Sequence, residues 1–213
     1  MIERFRDRRH AGRVLAGELQ EYGDRSNVIV LGLPRGGIPV AYEVAAALHA
    51  PLDVFVVRKL GVPRRSELAM GAIASGGVRV LNEDVVASLG IDTDVIDRAT
   101  ETETRELDRR ESLYRGARPP LELSGKVVIL VDDGLATGST MRAAIEAARL
   151  LQPAQLVVAV PVAAPSTCRS LRSLTDRVVC AVTPKNLYAV GQWYEDFTQT
   201  SDDDITDLLG INN

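Results

Sequence analysis

Two adjacent carboxylates open the segment of this sequence whose chemistry is clearest. Asp132 and Asp133 directly follow an apolar, β-branched run at residues 126–131, which predicts a buried strand. Open α/β sheets bind their ligands at the carboxyl ends of the strands, where these acids would lie. Two neighbouring acids without a partner would repel each other. With a ligand, they can accept hydrogen bonds from the two hydroxyls of a sugar diol, and this is the chemistry that we expect of them.

The residues after the acidic pair are small, carry hydroxyl groups and include a glycine. They run Ala136-Thr137-Gly138-Ser139-Thr140 and lead into a helix predicted at residues 139–151. The free N–H groups and the dipole of a helix N-terminus form an anion site. No lysine follows Gly138, so this is not a Walker loop, and Gly32 and Gly36 lack the glycine spacing of a dinucleotide fold. The segment therefore predicts a site for a sugar phosphate.

Two basic segments accompany the first two predicted strands. Pro34-Arg35-Gly36-Gly37 follows residues 28–33, and Arg58-Lys59 follows residues 52–57. Taken alone, the first is an ordinary turn and the second could be solvated charge at a strand end. The next segment, 61–77, combines Gly, Pro, Arg and Ser with little periodicity and predicts a long surface loop that ends in a short hairpin. Loops of that length in a compact domain are usually functional lids or disordered.

Strands that alternate with helices position these segments. The strands predicted for one sheet lie at residues 28–33, 52–57, 126–131, 155–162 and 177–182. The helices predicted beside them lie at residues 8–22, 38–49, 139–151 and 166–174. This alternation predicts the α/β class, with a parallel five-stranded sheet flanked by helices. A charged helix with a thin apolar stripe is predicted at residues 92–114 and is expected on the outside of the fold.

Length and composition bound the remaining predictions. The 213 residues are 46% apolar and 25% charged, which suits one folded domain over residues 1–213. The net charge of -4 gives no sign of a nucleic-acid or membrane partner. The first residues lack the apolar stretch of a signal peptide, and no run approaches the roughly 18 apolar residues of a membrane span, so we expect a cytoplasmic protein. Two cysteines are too few for a disulfide framework, so Cys168 and Cys180 are predicted to be buried thiols.

The segment from Asp132 to Thr140 resembles the signature of the type I phosphoribosyltransferases. The resemblance implies that Asp132 and Asp133 hold the ribose hydroxyls of phosphoribosyl pyrophosphate (PRPP). It also implies that the 5-phosphate is bound by Ala136, Thr137, Gly138, Ser139 and Thr140.

Two other segments resemble parts of the same family. Pro34-Arg35-Gly36-Gly37 resembles the pyrophosphate loop, whose backbone amides and basic side chain face the diphosphate. Family members often hold a cis peptide at this point, and the corresponding bond here is Pro34–Arg35. Arg58-Lys59-Leu60-Gly61 resembles the start of the mobile catalytic loop. The resemblance implies that Arg58 and Lys59 neutralise the pyrophosphate leaving group while residues 61–77 close over it.

The function that the resemblance implies is transfer of the phosphoribosyl group of PRPP to a nitrogenous base or similar acceptor, with release of pyrophosphate. Mg²⁺ is the implied cofactor, held mainly by PRPP rather than by protein ligands, and a homodimer is the common assembly. Ala136 stands where 6-oxopurine enzymes typically carry an aspartate. This departure argues against hypoxanthine or guanine and leaves adenine-like or other acceptors open. The helix at 92–114 matches no element of the family's core and looks like an insertion.

Two points stay open at the level of the sequence. The same motif would serve a regulator that senses PRPP without turning it over, although the Arg58-Lys59 pair favours the enzyme. A different sugar-phosphate enzyme on the same fold is a third candidate. The family binds its acceptor under a variable hood, whose candidate residues here are Phe5, Arg6, Arg9, Trp193, Tyr194 and Phe197. Their rings could stack on a planar acceptor, but packing of the terminal segments onto the core is the favoured interpretation.

Overall fold

The computed structural model describes residues 4–63 and 65–211, without the side chains of residues 66 and 67. The strands are β1 (Val28–Gly32), β2 (Leu52–Val54), β3 (Val57–Val62), β4 (Arg65–Ala74), β5 (Val78–Leu81), β6 (Val127–Val131), β7 (Gln155–Val162) and β8 (Arg177–Val182). The helices are α1 (Arg8–Gly17), α2 (Gly37–Leu48), α3 (Glu83–Leu89), α4 (Thr93–Arg115), α5 (Ser139–Leu150), α6 (Pro165–Leu171) and α7 (Asp202–Leu209).

A parallel five-stranded sheet in the order β2-β1-β6-β7-β8 forms the centre of the molecule, as the alternation of strands and helices predicts. Every residue of β1 and β6 is buried, because helices cover both faces of the sheet. Leu15 and Val44, from α1 and α2, pack on one face, while Met141 and Leu171, from α5 and α6, pack on the other.

The register of β1 and β6 brings two of the predicted site segments together. Gly32 lies opposite Val131 in the parallel pair. The backbone N–H of Leu33 donates to the carbonyl oxygen of Val131 at 2.9 Å, which continues the pairing by one step. Both strands therefore end at the same level, so the turn after β1 and the acidic loop after β6 leave the sheet side by side.

The prediction of a surface loop at residues 61–77 is wrong. Most of that segment belongs to an antiparallel three-stranded sheet in the order β3-β4-β5, in which β3 and β4 form a hairpin with an irregular register near Gly61. Both faces of this small sheet are partly covered. Leu60 and Met70 pack with residues of α4, whereas Ala74 packs with the cluster that contains α5. Burial on both faces removes the alternation of polar and apolar residues by which a strand is usually predicted.

The charged helix predicted at residues 92–114 is confirmed as α4. Its narrow apolar stripe, which includes Ile96, Leu107 and Tyr114, is buried against the antiparallel sheet and α7. At its C-terminal end the guanidinium of Arg115 donates two hydrogen bonds of 3.1 Å to the buried carboxylate of Asp53 on β2. The helix is thus anchored to the edge strand of the central sheet, while its polar face is exposed.

The two terminal segments pair with each other beyond the carboxyl edge of the central sheet. The N–H of Phe5 donates to the carbonyl oxygen of Trp193, and the N–H of Glu195 donates to that of Phe5, both at 2.8 Å. Phe5 and Tyr194 are 0% and 3% exposed. This burial confirms the favoured interpretation for these two aromatic residues, namely that they pack the terminal segments onto the core.

Cys168 and Cys180 correct a further prediction. The structure joins them in a disulfide, so they are not the buried thiols that their low number suggested. Cys168 lies on α6 and Cys180 on β8, and these elements are consecutive in the chain and packed together.

No helix in the described part of the chain combines the length and apolar character that a bilayer crossing requires.

Candidate functional site

Two neighbouring glycines let the turn after β1 touch the acidic loop after β6. A Cβ on Gly36 would overlap the Oδ2 atom of Asp133 and would lie 2.7 Å from its Cγ atom. A Cβ on Gly37 would lie 2.7 Å from the carbonyl oxygen of Val131. Gly36 has φ -63°, a conformation open to any residue, so this glycine is required by the close approach alone. The bond between Pro34 and Arg35 is cis, as the resemblance implies.

The acidic pair lies where the two loops meet. Oδ1 of Asp132 accepts a hydrogen bond from the backbone N–H of Asp133 at 2.9 Å. The hydroxyl of Tyr194 donates to the carbonyl oxygen of Asp133 at 2.5 Å, which ties the loop to the C-terminal segment. Burial raises the pKa of Asp132 well above its usual range, and the adjacent Asp133 carboxylate raises it further.

A basic residue that the sequence analysis does not single out faces this pair. Nε of Arg8, in the first turn of α1, donates to Oδ2 of Asp133 at 2.8 Å, with 11% and 16% of the two side chains exposed. Burial raises the pKa of Asp133, and the hydrogen bond from Arg8 opposes that increase. The sequence analysis offers Arg6 and Arg9 as candidates for the hood instead. Arg6 is exposed, and Arg9 donates to the carboxylate of Glu43 at 2.7 Å.

The hydroxyl-rich loop adopts the strand–loop–helix arrangement that its sequence predicts. Gly138 has φ +75°, a left-handed conformation that favours glycine, and α5 begins at the next residue. The Oγ1 atom of Thr167, on α6, donates to the carbonyl oxygen of Ala136 at 2.8 Å. No pattern in the sequence pointed to Thr167, because its role depends on how α6 packs.

A cavity of about 180 Å³ lies inside this loop. Its lining is formed by the segment from Gly134 to Met141 together with Asp132 and Val190. Thr137 and Ser139 place their hydroxyl oxygens 3.1 Å apart at its mouth, and both residues are exposed. Hydroxyl groups and the N-terminus of α5 thus face one small polar space, which suits an anion the size of a phosphate group.

Arg58 and Lys59 are not brought together by the structure. Consecutive residues of a strand point to opposite faces of its sheet, and both residues belong to β3. Arg58 lies on the same face as Leu60, toward α4, where its Nη2 atom is 2.6 Å from Oε2 of Glu103. Lys59 is exposed. In this conformation Arg58 is paired with Glu103 of α4, and Lys59 is the one of the two that is open to a ligand.

Arg35 approaches the C-terminal helix. Its exposed guanidinium lies 3.7 Å from the Asp202 carboxylate at the first residue of α7. Asp202 also accepts a hydrogen bond of 2.6 Å from the hydroxyl of Tyr114 on α4. Burial and this hydrogen bond raise the pKa of Tyr114 to about 12, so the phenol stays protonated at neutral pH. The long contact leaves Arg35 free to turn toward an anion beside Gly36.

The arrangement of sheet and loops is that of the type I phosphoribosyltransferase fold. The family model described as the phosphoribosyl transferase domain matches residues 2–197 of the chain. The chain therefore belongs to the phosphoribosyltransferase family.

Individual relatives agree with this assignment. A Mycobacterium tuberculosis protein named "Putative phosphoribosyl transferase" is 48% identical over 205 residues, which are 96% of this chain and 46% of that protein. The chain thus spans about half the length of the curated relatives that it matches. The crystal structure of the TT1426 protein from Thermus thermophilus is 41% identical and covers 97% of each chain, with a TM-score of 0.87. The AQ2163 protein of Aquifex aeolicus shares the fold at 14% identity, with a TM-score of 0.52 over 96% of this chain and 85% of its own.

Proposed function

We propose that this protein transfers the phosphoribosyl group of PRPP to a nitrogenous acceptor and releases pyrophosphate. The observation that carries the proposal is the contact between Gly36 and Asp133. Because this contact leaves no room for a side chain, a diol on the acidic loop and a diphosphate on the turn would be close enough to belong to one ligand. PRPP carries both groups on adjacent carbons of its ribose.

Each part of the site then has a role toward PRPP. Asp132 and Asp133 accept hydrogen bonds from the ribose hydroxyls. The 5-phosphate occupies the small cavity inside residues 136–140, at the N-terminus of α5. The diphosphate lies against the backbone of Gly36 and Gly37. Mg²⁺ would be held mainly by PRPP itself and would supply charge neutralisation at the diphosphate.

The reaction asks the protein for little proton transfer. The bond between the anomeric carbon and pyrophosphate breaks as a nitrogen of the acceptor forms the new bond, and the ribose has oxocarbenium character in this transition state. The proton of the acceptor nitrogen leaves to the departing pyrophosphate or to solvent. Catalysis is then mainly positioning, together with neutralisation of the leaving group. Arg35 and Lys59 are the exposed cations available for that second task. Arg58 joins them only if it leaves Glu103.

The proposal names the acceptor only by its chemical class, a nitrogenous base or similar compound. Ala136 carries no group that exchanges protons, which is unfavourable for 6-oxopurines and leaves adenine-like or other nitrogenous acceptors. One observation favours a second candidate function, a sensor that binds PRPP without transfer. Arg58, one of the two residues proposed to neutralise the leaving group, is paired with Glu103 in this conformation.

Pyrophosphate release from Mg-PRPP, measured across a panel of purines, pyrimidines and a control without base, tests the proposal. Stimulation by one base is the expected result and would identify the acceptor. Calorimetric binding of Mg-PRPP without release in any arm would support the sensor. The Asp132→Asn, Asp133→Asn double variant is expected to lose binding while it keeps its fold, as judged by circular dichroism. Wild-type affinity in that variant would contradict the site assignment.

A further inference from the structure

Arg8 connects three separate parts of the chain at the acidic loop. We propose that Arg8 is a positioning residue for the ribose site, which holds the Asp133 carboxylate in place as an ionised acceptor and couples it to the two terminal segments. The inference rests on the proposed function, since Asp133 is there the acceptor of a ribose hydroxyl. It assigns a role in that site to a residue of the N-terminal helix.

Three contacts fix the guanidinium of Arg8. Nε donates to Oδ2 of Asp133 at 2.8 Å, and Nη1 donates to the carbonyl oxygen of Thr198 at 2.6 Å. The ring of Phe197 lies beneath the guanidinium carbon, 3.9 Å from it to the ring centroid. Such a distance is that of a cation–π contact, for which the planar guanidinium is well suited. The group therefore cannot turn away from Asp133 without losing both contacts to the C-terminal segment.

The hydrogen bond from Arg8 leaves Asp133 able to accept a further hydrogen bond from a ligand. The hydrogen bond from Arg8 is made to Oδ2 and leaves Oδ1 for a hydroxyl donor. A guanidinium donates only, which means that it hydrogen-bonds the ionised form of the carboxylate and disfavours the protonated form. Arg8 thereby keeps Asp133 as an acceptor, the state in which it can bind a ribose hydroxyl.

The charged and titratable groups around Asp133 act in both directions. Asp132, on the same loop, opposes ionisation of the pair, and so does burial of the loop. The phenol of Tyr194, on the C-terminal segment, bonds the backbone of Asp133 and stays neutral because burial raises its pKa. Asp196 interacts with Arg8 from the exposed side. Arg8 is thus the cation that lowers the pKa of Asp133, and its removal is expected to raise that pKa.

Calorimetric titration of Mg-PRPP between about pH 5.5 and 8.5 tests this role in Arg8→Gln and Arg8→Lys variants. Each unit by which a carboxyl pKa rises lowers the ionised fraction about tenfold at more acidic pH. We expect Arg8→Gln to bind about tenfold or more weakly at the acidic end, with the difference from wild type narrowing as the pH rises. Arg8→Lys should recover part of the loss, because an ammonium keeps the charge but not the fork of donors.

Arg13→Gln is the matched control. Arg13 lies on the same helix, is paired with Glu43 at 3.2 Å and is half exposed, so its variant should follow the wild-type pH profile. An Arg8→Gln profile equal to wild type would overturn the inference and leave the proposed function intact, as would a loss of the same size at every pH. Wild-type protein that does not bind Mg-PRPP would instead contradict the proposed function.

Carbon-detected NMR titration of the aspartate side chains, without ligand, provides the independent readout. A higher Asp133 pKa in Arg8→Gln than in wild type supports the inference even if the ligand is not PRPP. An unchanged Asp133 pKa overturns it.

Discussion

The contact between Gly36 and Asp133 makes Gly36→Ala a sensitive test of the proposed site. Two effects of this substitution oppose each other. The backbone of Gly36 is in the right-handed helical region, so alanine reduces the entropy of the unfolded chain and stabilises by about 0.4–1 kcal/mol. The new methyl group, however, would lie 2.7 Å from Cγ of Asp133 and 3.1 Å from Nε of Arg8. Ordinary contacts between carbon atoms are about 3.5 Å or longer, so something must move by about 1 Å.

Two movements can relieve the overlap, and both damage the site. Either the turn separates from the acidic loop, or Asp133 rotates and breaks its bond to Arg8. Overpacking of this kind destabilises by about 1–3 kcal/mol, which exceeds the entropic gain. We therefore expect a net loss of about 1 kcal/mol in the free energy of unfolding. The effect on Mg-PRPP should be larger, because a misplacement of about 1 Å can lower activity about a hundredfold.

Thermal unfolding and calorimetric titration of the same samples measure the two effects separately. Gly17→Ala is the matched control, since a Cβ on Gly17 would have no atom within 4 Å. That variant should be slightly more stable than wild type and bind equally well. Wild-type affinity for Mg-PRPP in Gly36→Ala would contradict this prediction, because it would show that the turn and the acidic loop need not touch when the ligand binds.

Two further predictions concern the charged residues of the site. Removal of one donor to a developing anion costs roughly 3 kcal/mol, so Lys59→Ala should slow pyrophosphate release about a hundredfold, and Arg58→Gln should slow it less because Arg58 is engaged by Glu103. Equal effects, measured in one steady-state assay, would show that Arg58 leaves Glu103 during turnover. Asp132→Asn should melt at least about 2 °C above wild type near pH 8, since its charge is unfavourable in the folded state. Because the pKa of Asp132 is raised, the wild-type carboxylate becomes protonated as the pH falls and its destabilising charge disappears. The difference in melting temperature should therefore vanish toward about pH 4. A difference that grows as the pH falls would contradict the raised pKa of Asp132.

The central sheet and the segments at its edge could be predicted because their signals are local. The runs at β1 and β6 are continuously apolar, and each is followed by a short polar loop. The paired acids after β6 are distinctive by themselves, whereas the turn with two glycines after β1 gains its meaning only beside them. The parallel arrangement then brings the loops together. The sequence does not predict how closely the two loops approach each other. Gly36 contacts Asp133 because β1 and β6 end at the same level, and this depends on the register of the two strands.

The remaining parts of the site depend on packing between distant segments. Arg8 is 125 residues from Asp133, and its neighbour Arg9 looks equally basic in the sequence. The first turn of α1 directs Arg8 inward and Arg9 toward Glu43. The sequence does not predict the hairpin of β3 and β4 for a related reason, because α4 and α5 cover parts of both faces and the regular alternation of polar and apolar residues is lost. The omission of Arg8 and the wrong loop prediction have the same origin. In both places a neighbouring element, rather than the local sequence, determines the environment of a side chain.

The electrostatics of the acidic pair give the terminal segments a role in the proposed ribose site. Two adjacent, half-buried carboxylates are unfavourable in an empty protein, and burial and mutual repulsion both favour protonation. A protonated pair would be a poor acceptor for a diol at the pH where the reaction must run. Arg8 opposes protonation of Asp133, and Phe197 and Thr198 hold Arg8 in place. The terminal segments would therefore help to keep the proposed ribose site ionised before the substrate arrives.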